Sequence, residues 1–149
     1  MRISAPAAAL CSMGLLGLLG SFGIVSTAWG QTAARSQDSV RSGLATMNAA
    51  VAQSERLIAS HDYGRLPSES NEFEAGLIAL EQGLGNQPSP LKSKLEPLIA
   101  KARVASSAMS EAAHAHRDSM LPLAHRQLAE AVNAIIAAFP AALRPAPGG

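Results

Sequence analysis

Apolar residues recur at steps of three and four along most of this chain, and this periodicity restricts its regular structure to helix. Alanine and leucine, which favour helices, are abundant, whereas the β-branched residues that favour strands are sparse. Glycine and proline interrupt the pattern at residues 64–67, at residues 83–90 and at Pro140. The sequence therefore predicts an all-α protein.

Four apolar stripes predict four helices between residues 37 and 139. The first helix, at about 37–61, carries Val40, Leu44, Met47, Val51, Ser54 and Ile58. The second begins near Ser68 or Ser70 and carries Phe73, Leu77, Leu80 and Leu84. The third carries Leu91, Leu95, Leu98, Ala102, Ala105, Met109 and Ala112, and either begins at Pro97 or is kinked there. The fourth, capped by Asp118 or Ser119, carries Leu121, His125, Leu128, Val132, Ile135 and Phe139.

Short connections between amphipathic helices favour an antiparallel up-down-up-down four-helix bundle over residues 37–139. The alternative is a three-helix domain with a docked extra segment, because the second helix is short. Residues 31–36 and 140–149, the latter rich in proline and glycine, are expected to be disordered.

The first thirty residues have the pattern of a secretory signal peptide. Arg2 precedes an uncharged, apolar stretch at 7–25, and small residues lead to a cleavage site between Gly30 and Gln31. An uncleaved membrane anchor is the alternative, because the stretch approaches the roughly 20 residues that span a bilayer. We expect cleavage, and a periplasmic or secreted mature protein.

The composition of the mature chain, residues 31–149, excludes several classes of function. Cys11 lies in the signal segment, so disulfides, thiolate metal sites and covalently attached haem are excluded. Three aromatic residues remain, Tyr63, Phe73 and Phe139, which offer little surface for stacking on nucleobases. Eleven Lys and Arg balance eleven Asp and Glu, so neither nucleic acid nor, after signal cleavage, a membrane is an expected partner.

Three of the four histidines fall where inward stripes continue at one end of the predicted bundle. His61 continues the stripe of the first helix, His116 that of the third, and His125 lies on that of the fourth. His61 and Glu69 are equally far in sequence from the turn near residue 65, so antiparallel helices would place them opposite each other. Imidazole and carboxylate ligands without sulfur suit Zn²⁺, Cu²⁺ or Ni²⁺. The sequence therefore predicts a metal site formed by His61, Glu69, His116 and His125.

The remaining histidine, His114, is expected to face solvent, because two residues along a helix turn a side chain about 200° away. A purely structural role for all four histidines is the alternative interpretation. Imidazoles near helix C-termini can interact with the last carbonyl groups, where a positive charge is also favourable.

An exported four-helix chain without cysteine and with histidines in the bundle resembles the cytochrome b562 family of soluble electron carriers. That resemblance covers most of residues 36–139 as architecture and implies haem ligation by a methionine of helix one and a histidine of helix four, with Met47 and His125 as the nearest matches. Ligation by His61 and His116 is a second possible arrangement. Residues 57–84 and 94–103 also look similar to small periplasmic helical proteins of metal-handling systems.

No nucleophile is paired with a base in any recognised motif, so we do not expect an enzyme. The leading functional prediction is a metal carrier, buffer or sensor that binds a divalent transition ion at one end of the bundle. The alternative is a non-catalytic structural or protein-interaction module without a cofactor, using an exposed groove beside the short second helix. A b-type haem electron carrier comes third.

Overall fold

Helix is the only regular secondary structure in the part of the chain that the computed structural model describes, residues 21–85 and 89–146, with side chains from residue 33 onward. The helices are α1, Ser21–Ala59; α2, Leu66–Leu84; α3, Pro90–His114; and α4, Leu121–Ala137. Short 3-10 turns, Tyr63–Arg65 and Asp118–Met120, precede α2 and α4, and a third, Ala141–Leu143, follows α4. The predictions of an all-α fold and of four helices are confirmed.

The helices begin differently from the sequence prediction. The expected serine and aspartate caps of α2 and α4 are not used, because a 3-10 turn leads directly into a Leu-Pro pair that opens each helix. Proline has no N–H group to satisfy and its backbone angle suits a first helical turn. The α3 helix is instead capped by Ser89, whose Oγ accepts from the Lys92 backbone N–H at 3.1 Å. It continues through Pro97, so it does not begin there.

The predicted stripes supply most of the hydrophobic core. The stripe residues of α1 and α2 that are buried are Val40, Leu44, Met47, Ser54, Phe73, Leu77 and Leu80. Those of α3 and α4 are Leu95, Ala102, Ala105, Met109, Ala112, Leu121, Leu128, Val132 and Ile135, together with Phe139, which follows α4. Apart from Ser54 these side chains are apolar, and their removal from water is the main stabilisation of the fold.

Glycines bring α1 and α2 into backbone contact. A Cβ atom placed on Gly43 would lie 2.6 Å from the Gly76 carbonyl oxygen and 2.6 Å from the Leu80 nitrogen. One on Gly83 would lie 2.7 Å from the Val40 nitrogen. Residues further along α1 contact residues nearer the start of α2. This close approach is possible because glycine has no side chain.

Residues 31–36 and, from the second segment expected to be disordered, Ala141–Leu143 have regular backbone in the structure. Residues 31–36 lie within α1, and the predicted cleavage site between Gly30 and Gln31 falls inside the same helix. After α4, the Arg144 guanidinium donates to the carbonyl oxygens of Phe139 at 2.8 Å and Ala137 at 2.9 Å. These bonds occupy carbonyl groups at the end of α4 and hold residues 141–144 against it.

The predicted signal peptide, residues 1–30, lies outside the described residues as far as position 20. Residues from Ala34 onward form a unit of their own, and all packing described here is within it. Among the described helices, none combines the length and the apolar character that crossing a membrane requires.

Candidate functional site

His61 and His116 occupy the same structural position, just beyond the ends of α1 and α3. They are the only non-glycine residues with positive φ in the described parts of the chain, 58° and 52° respectively. Both side chains are exposed. A left-handed residue at this position ends a helix, and histidine adopts this conformation more readily than most residues.

Hydrogen bonds identify both helix ends as Schellman motifs. After α1, the N–H of Asp62 donates to the Leu57 carbonyl at 2.9 Å and that of His61 to the Ile58 carbonyl at 3.2 Å. After α3, the corresponding bonds are Arg117 to Ala112 at 2.8 Å and His116 to Ala113 at 3.3 Å. These bonds satisfy carbonyl groups that a helix end would otherwise leave without partners.

The prediction that His61 and His116 continue the inward stripes is therefore wrong. A stripe can be extrapolated only while the backbone stays helical, and both residues lie outside their helices in left-handed conformation. The His61 ring is instead placed beside Tyr63: its Nδ1 is hydrogen-bonded to the Tyr63 hydroxyl, and the two rings meet edge to face. The imidazole thus packs on the turn that follows its own helix.

His125 is half-buried on the inward side of α4, as predicted. Its Nε2 lies 3.1 Å from the carbonyl oxygen of Val51 on α1. A carbonyl only accepts, so Nε2 carries the proton, and in the neutral ring Nδ1 is the nitrogen with a lone pair. His125 therefore links α4 to α1, and only its Nδ1 remains suited to bind a metal.

Glu69 and His114 complete the set of residues singled out from the sequence. Glu69 is half-buried in the first turn of α2, where its negative charge is favourable near the helix N-terminus. His114 is exposed, as predicted, and its Nδ1 donates to the Ser110 carbonyl at 2.8 Å.

The structure gives each predicted metal ligand a local role. His61 and His116 end helices, His125 bridges two helices, and Glu69 lies at a helix start. Within the described residues, no three His, Cys, Asp or Glu side chains form a group that could hold a metal ion. Metal binding by His61, Glu69, His116 and His125 stays a prediction.

An ion-pair network between α2 and α3 was not anticipated from the sequence. The Arg103 guanidinium donates to Glu74 Oε1 and to Glu81 Oε2, each at 3.0 Å, and makes two further bonds to Glu74 and one to Glu81. Hydrogen bonds to Glu81 and Glu74 raise the pKa of Arg103 above its ordinary value. The seven-residue spacing of Glu74 and Glu81 was the available signal, because two helical turns place both on one face.

The network borders an open groove between α2 and α3, here named the α2–α3 groove. It encloses about 500 Å³ and is lined by Ser70, Glu74, Arg103, Val104, Ser106, Ser107 and Ser110. A second hollow shares Ser107 and Ser110 and continues past Glu111, His114 and Arg117. A groove of this kind beside the second helix is what the interaction-module alternative requires.

The implied haem ligands, Met47 and His125, both make other contacts. Met47 is fully buried, and a Cβ on Gly76 would lie 2.8 Å from its Cγ, while His125 is bonded to Val51. The cytochrome b562 resemblance stays an expectation. No protein-family model, no curated protein and no solved structure matches this chain.

Proposed function

We propose that the mature chain is an exported, non-catalytic helical module that binds a protein partner through the α2–α3 groove. Its four helices form an antiparallel up-down-up-down bundle in this proposal. The observation that carries it is Val104, which lines the groove and is 71% exposed, the largest value among the exposed large apolar residues described. When a partner covers such a side chain, its apolar surface is removed from water, and this stabilises the complex.

The shape and chemistry of the groove favour a protein over a small molecule. Small-molecule sites usually enclose most of their ligand in a concave, apolar cavity. The α2–α3 groove is open and lined largely by serines, with one apolar side chain among them. A protein interface has this composition, with an apolar anchor surrounded by polar groups that form hydrogen bonds at the rim.

The Arg103 network gives the groove a fixed wall. Glu74 receives three hydrogen bonds and Glu81 two from one planar guanidinium, so the three side chains restrain one another. A preorganised surface loses less conformational entropy on binding than a mobile one. The network therefore supports recognition more than it supports stability, since its members are partly exposed.

The proposal assigns the groove and the adjoining hollow no catalytic role. A serine nucleophile needs a base within hydrogen-bonding reach. His114 lines the adjoining hollow with Ser107 and Ser110, and the hydrogen bond described for its ring joins Nδ1 to the Ser110 backbone carbonyl, not to a serine hydroxyl.

Site-specific photo-crosslinking tests the proposed surface. A photoreactive residue at Ser107 in a bacterium that exports the chain should give a crosslinked product of discrete mass. The same residue at Asn133, exposed on α4, serves as the positional control. Equal products from the two positions, or none from Ser107, would contradict the proposal.

Introducing a charge at Val104 gives a second test of the proposed surface. Val104→Glu should abolish the Ser107 product without lowering the unfolding temperature, because the side chain is exposed. Leu123→Glu is the matched control, since Leu123 is also a helical residue with an exposed apolar side chain, 52%, but does not line the groove. It should leave the product unchanged.

The other two functional predictions compete with this proposal and have separate tests. The metal carrier, buffer or sensor would bind Zn²⁺, Cu²⁺ or Ni²⁺ through His61, Glu69, His116 and His125, and metal titration detects it. The haem carrier would develop a Soret band when haem is added to the purified chain.

A further inference from the structure

The two turns that carry left-handed histidines share a sequence as well as a backbone. In each, a histidine is followed five residues later by Leu-Pro: His61 with Leu66 and Pro67, and, 55 positions on, His116 with Leu121 and Pro122. In each, a Schellman motif is followed by a 3-10 turn and then by a helix that opens with this Leu-Pro pair. The α1–α2 and α3–α4 connections are thus built alike.

The same 55-residue offset relates the buried residues of the two halves. Twelve residues between 34 and 85 are buried, and eleven of them have a buried counterpart 55 positions later. On α1 and α3 the pairs are Val40/Leu95, Leu44/Ile99, Met47/Ala102, Ala50/Ala105, Ser54/Met109 and Leu57/Ala112. On α2 and α4 they are Leu66/Leu121, Phe73/Leu128, Gly76/Ala131, Leu77/Val132 and Leu80/Ile135. The exception is Gly43, whose counterpart Leu98 is half-buried.

Two hydrogen bonds between the halves obey the same relation. Ser70 Oγ on α2 donates to the Ser106 carbonyl on α3 at 3.4 Å. His125 Nε2 on α4 donates to the Val51 carbonyl on α1 at 3.1 Å. His125 is the counterpart of Ser70, and Ser106 is the counterpart of Val51. Each half therefore gives the other the same contact, which is the property of an isologous, two-fold interface.

We infer that the chain consists of two tandem helical hairpins, α1–α2 and α3–α4, that pack on each other about an internal pseudo-two-fold axis. Equivalent core residues of α1 and α3 lie on opposite sides of this axis at the same level and fill one shared layer. Three of these six pairs combine a large residue with a small one, Met47/Ala102, Ser54/Met109 and Leu57/Ala112. Facing core positions fill space best with such large and small pairs.

The pseudo-symmetry assigns His125 a structural role. It takes the place in the second hairpin that Ser70 takes in the first, and both reach a backbone carbonyl of the opposite hairpin. The inference does not depend on any binding partner, so the proposed function can fail while this inference stands.

Reciprocal exchange of one equivalent pair tests the inference in the intact mature chain. Ser54→Met should overpack the layer and Met109→Ser should leave a cavity, each lowering the thermal midpoint by about 5 to 15 °C. The exchanged chain, with both substitutions, should unfold within about 5 °C of the parent, because the layer regains its volume. Its midpoint should exceed that of either single variant.

The control combines Ser54→Met with Met47→Ser, which changes composition identically but removes a methionine two helical turns away on the same helix. Its losses should add, as they do for sites that share no contact. A second exchange, Leu57→Ala with Ala112→Leu, repeats the test one layer on. If a single variant does not fold, recovery of cooperative unfolding in the exchanged chain is the supporting result. The inference is overturned if, in both exchanges, the exchanged chain loses as much thermal stability as its two single variants lose together.

Discussion

Alanine in place of Gly43 should destabilise this protein, although alanine is the better helix former. In an open helix the change would stabilise by about 1 kcal/mol. Here the added carbon would lie 2.6 Å from the Gly76 oxygen, 2.6 Å from the Leu80 nitrogen and 3.0 Å from the Leu80 Cα. All three are backbone atoms, so no side-chain rotation can relieve the contact.

The magnitude follows from how far α1 and α2 must separate. Non-bonded heavy atoms are at optimal separation at about 3.5 to 4.0 Å, so the helices must move apart by roughly 1 Å at this point. Overpacking on this scale costs about 1 to 3 kcal/mol, and loss of contacts around Gly76 adds to it. We expect a net loss of about 2 kcal/mol, or roughly 8 °C in the unfolding midpoint of a domain of this size.

Thermal and urea unfolding followed by circular dichroism measure the effect. Gly64→Ala is the matched control, because a Cβ at Gly64 has nothing within 4 Å and lies in the exposed turn before α2. It should be neutral or stabilise by a few tenths of a kcal/mol through the unfolded state. Equal stability of the Gly43→Ala and Gly64→Ala proteins would refute the proposed backbone contact.

Three further predictions concern side chains whose roles the structure defines. His116→Gly should raise the free energy of unfolding by about 0.5 to 1 kcal/mol, because glycine adopts the left-handed conformation without strain. A lower free energy of unfolding, measured in urea, would contradict the helix-end role. Arg103→Gln should cost about 1 kcal/mol at low salt and less in 1 M NaCl, since its ion pairs are partly exposed. Because Glu81 and Glu74 raise the pKa of Arg103, the ion-pair contribution is complete below the unfolded-state pKa and should not decline between pH 7 and pH 10. His125→Ala should cost about 1 to 2 kcal/mol and speed amide exchange where α4 meets α1, whereas an unchanged exchange pattern would argue against the bond to Val51.

The sequence predicted the helices well because their apolar spacing is local information. Stripe residues such as Leu44 and Val132 are buried, and glycine and proline mark the breaks near the observed helix ends. The details at helix ends were missed, because a left-handed residue is hard to recognise when it is histidine rather than glycine. His61 and His116 match the apolar spacing of the preceding helices in the sequence, but in the structure they lie beyond the helix ends.

Contacts between helices required the structure. The close approach of α1 to α2 depends on Gly43 facing Gly76 and Leu80, which periodicity within one helix does not reveal. Arg103 likewise reaches Glu74 and Glu81 from another helix. The positions of His61 and His116 also required the structure, because a backbone change at the helix ends takes both residues out of their helical stripes.

Zinc titration of the tag-free mature chain tests most directly whether the histidines serve the fold rather than a metal. With His61 and His116 ending helices and His125 bonded to Val51, calorimetry should detect no stoichiometric binding at micromolar zinc, and the unfolding midpoint should not change. Binding of about one ion per chain, abolished by His125→Ala, would contradict this. It would add about 2.7 kcal/mol of stability at a hundredfold excess over the dissociation constant, so a rise in the midpoint would accompany it.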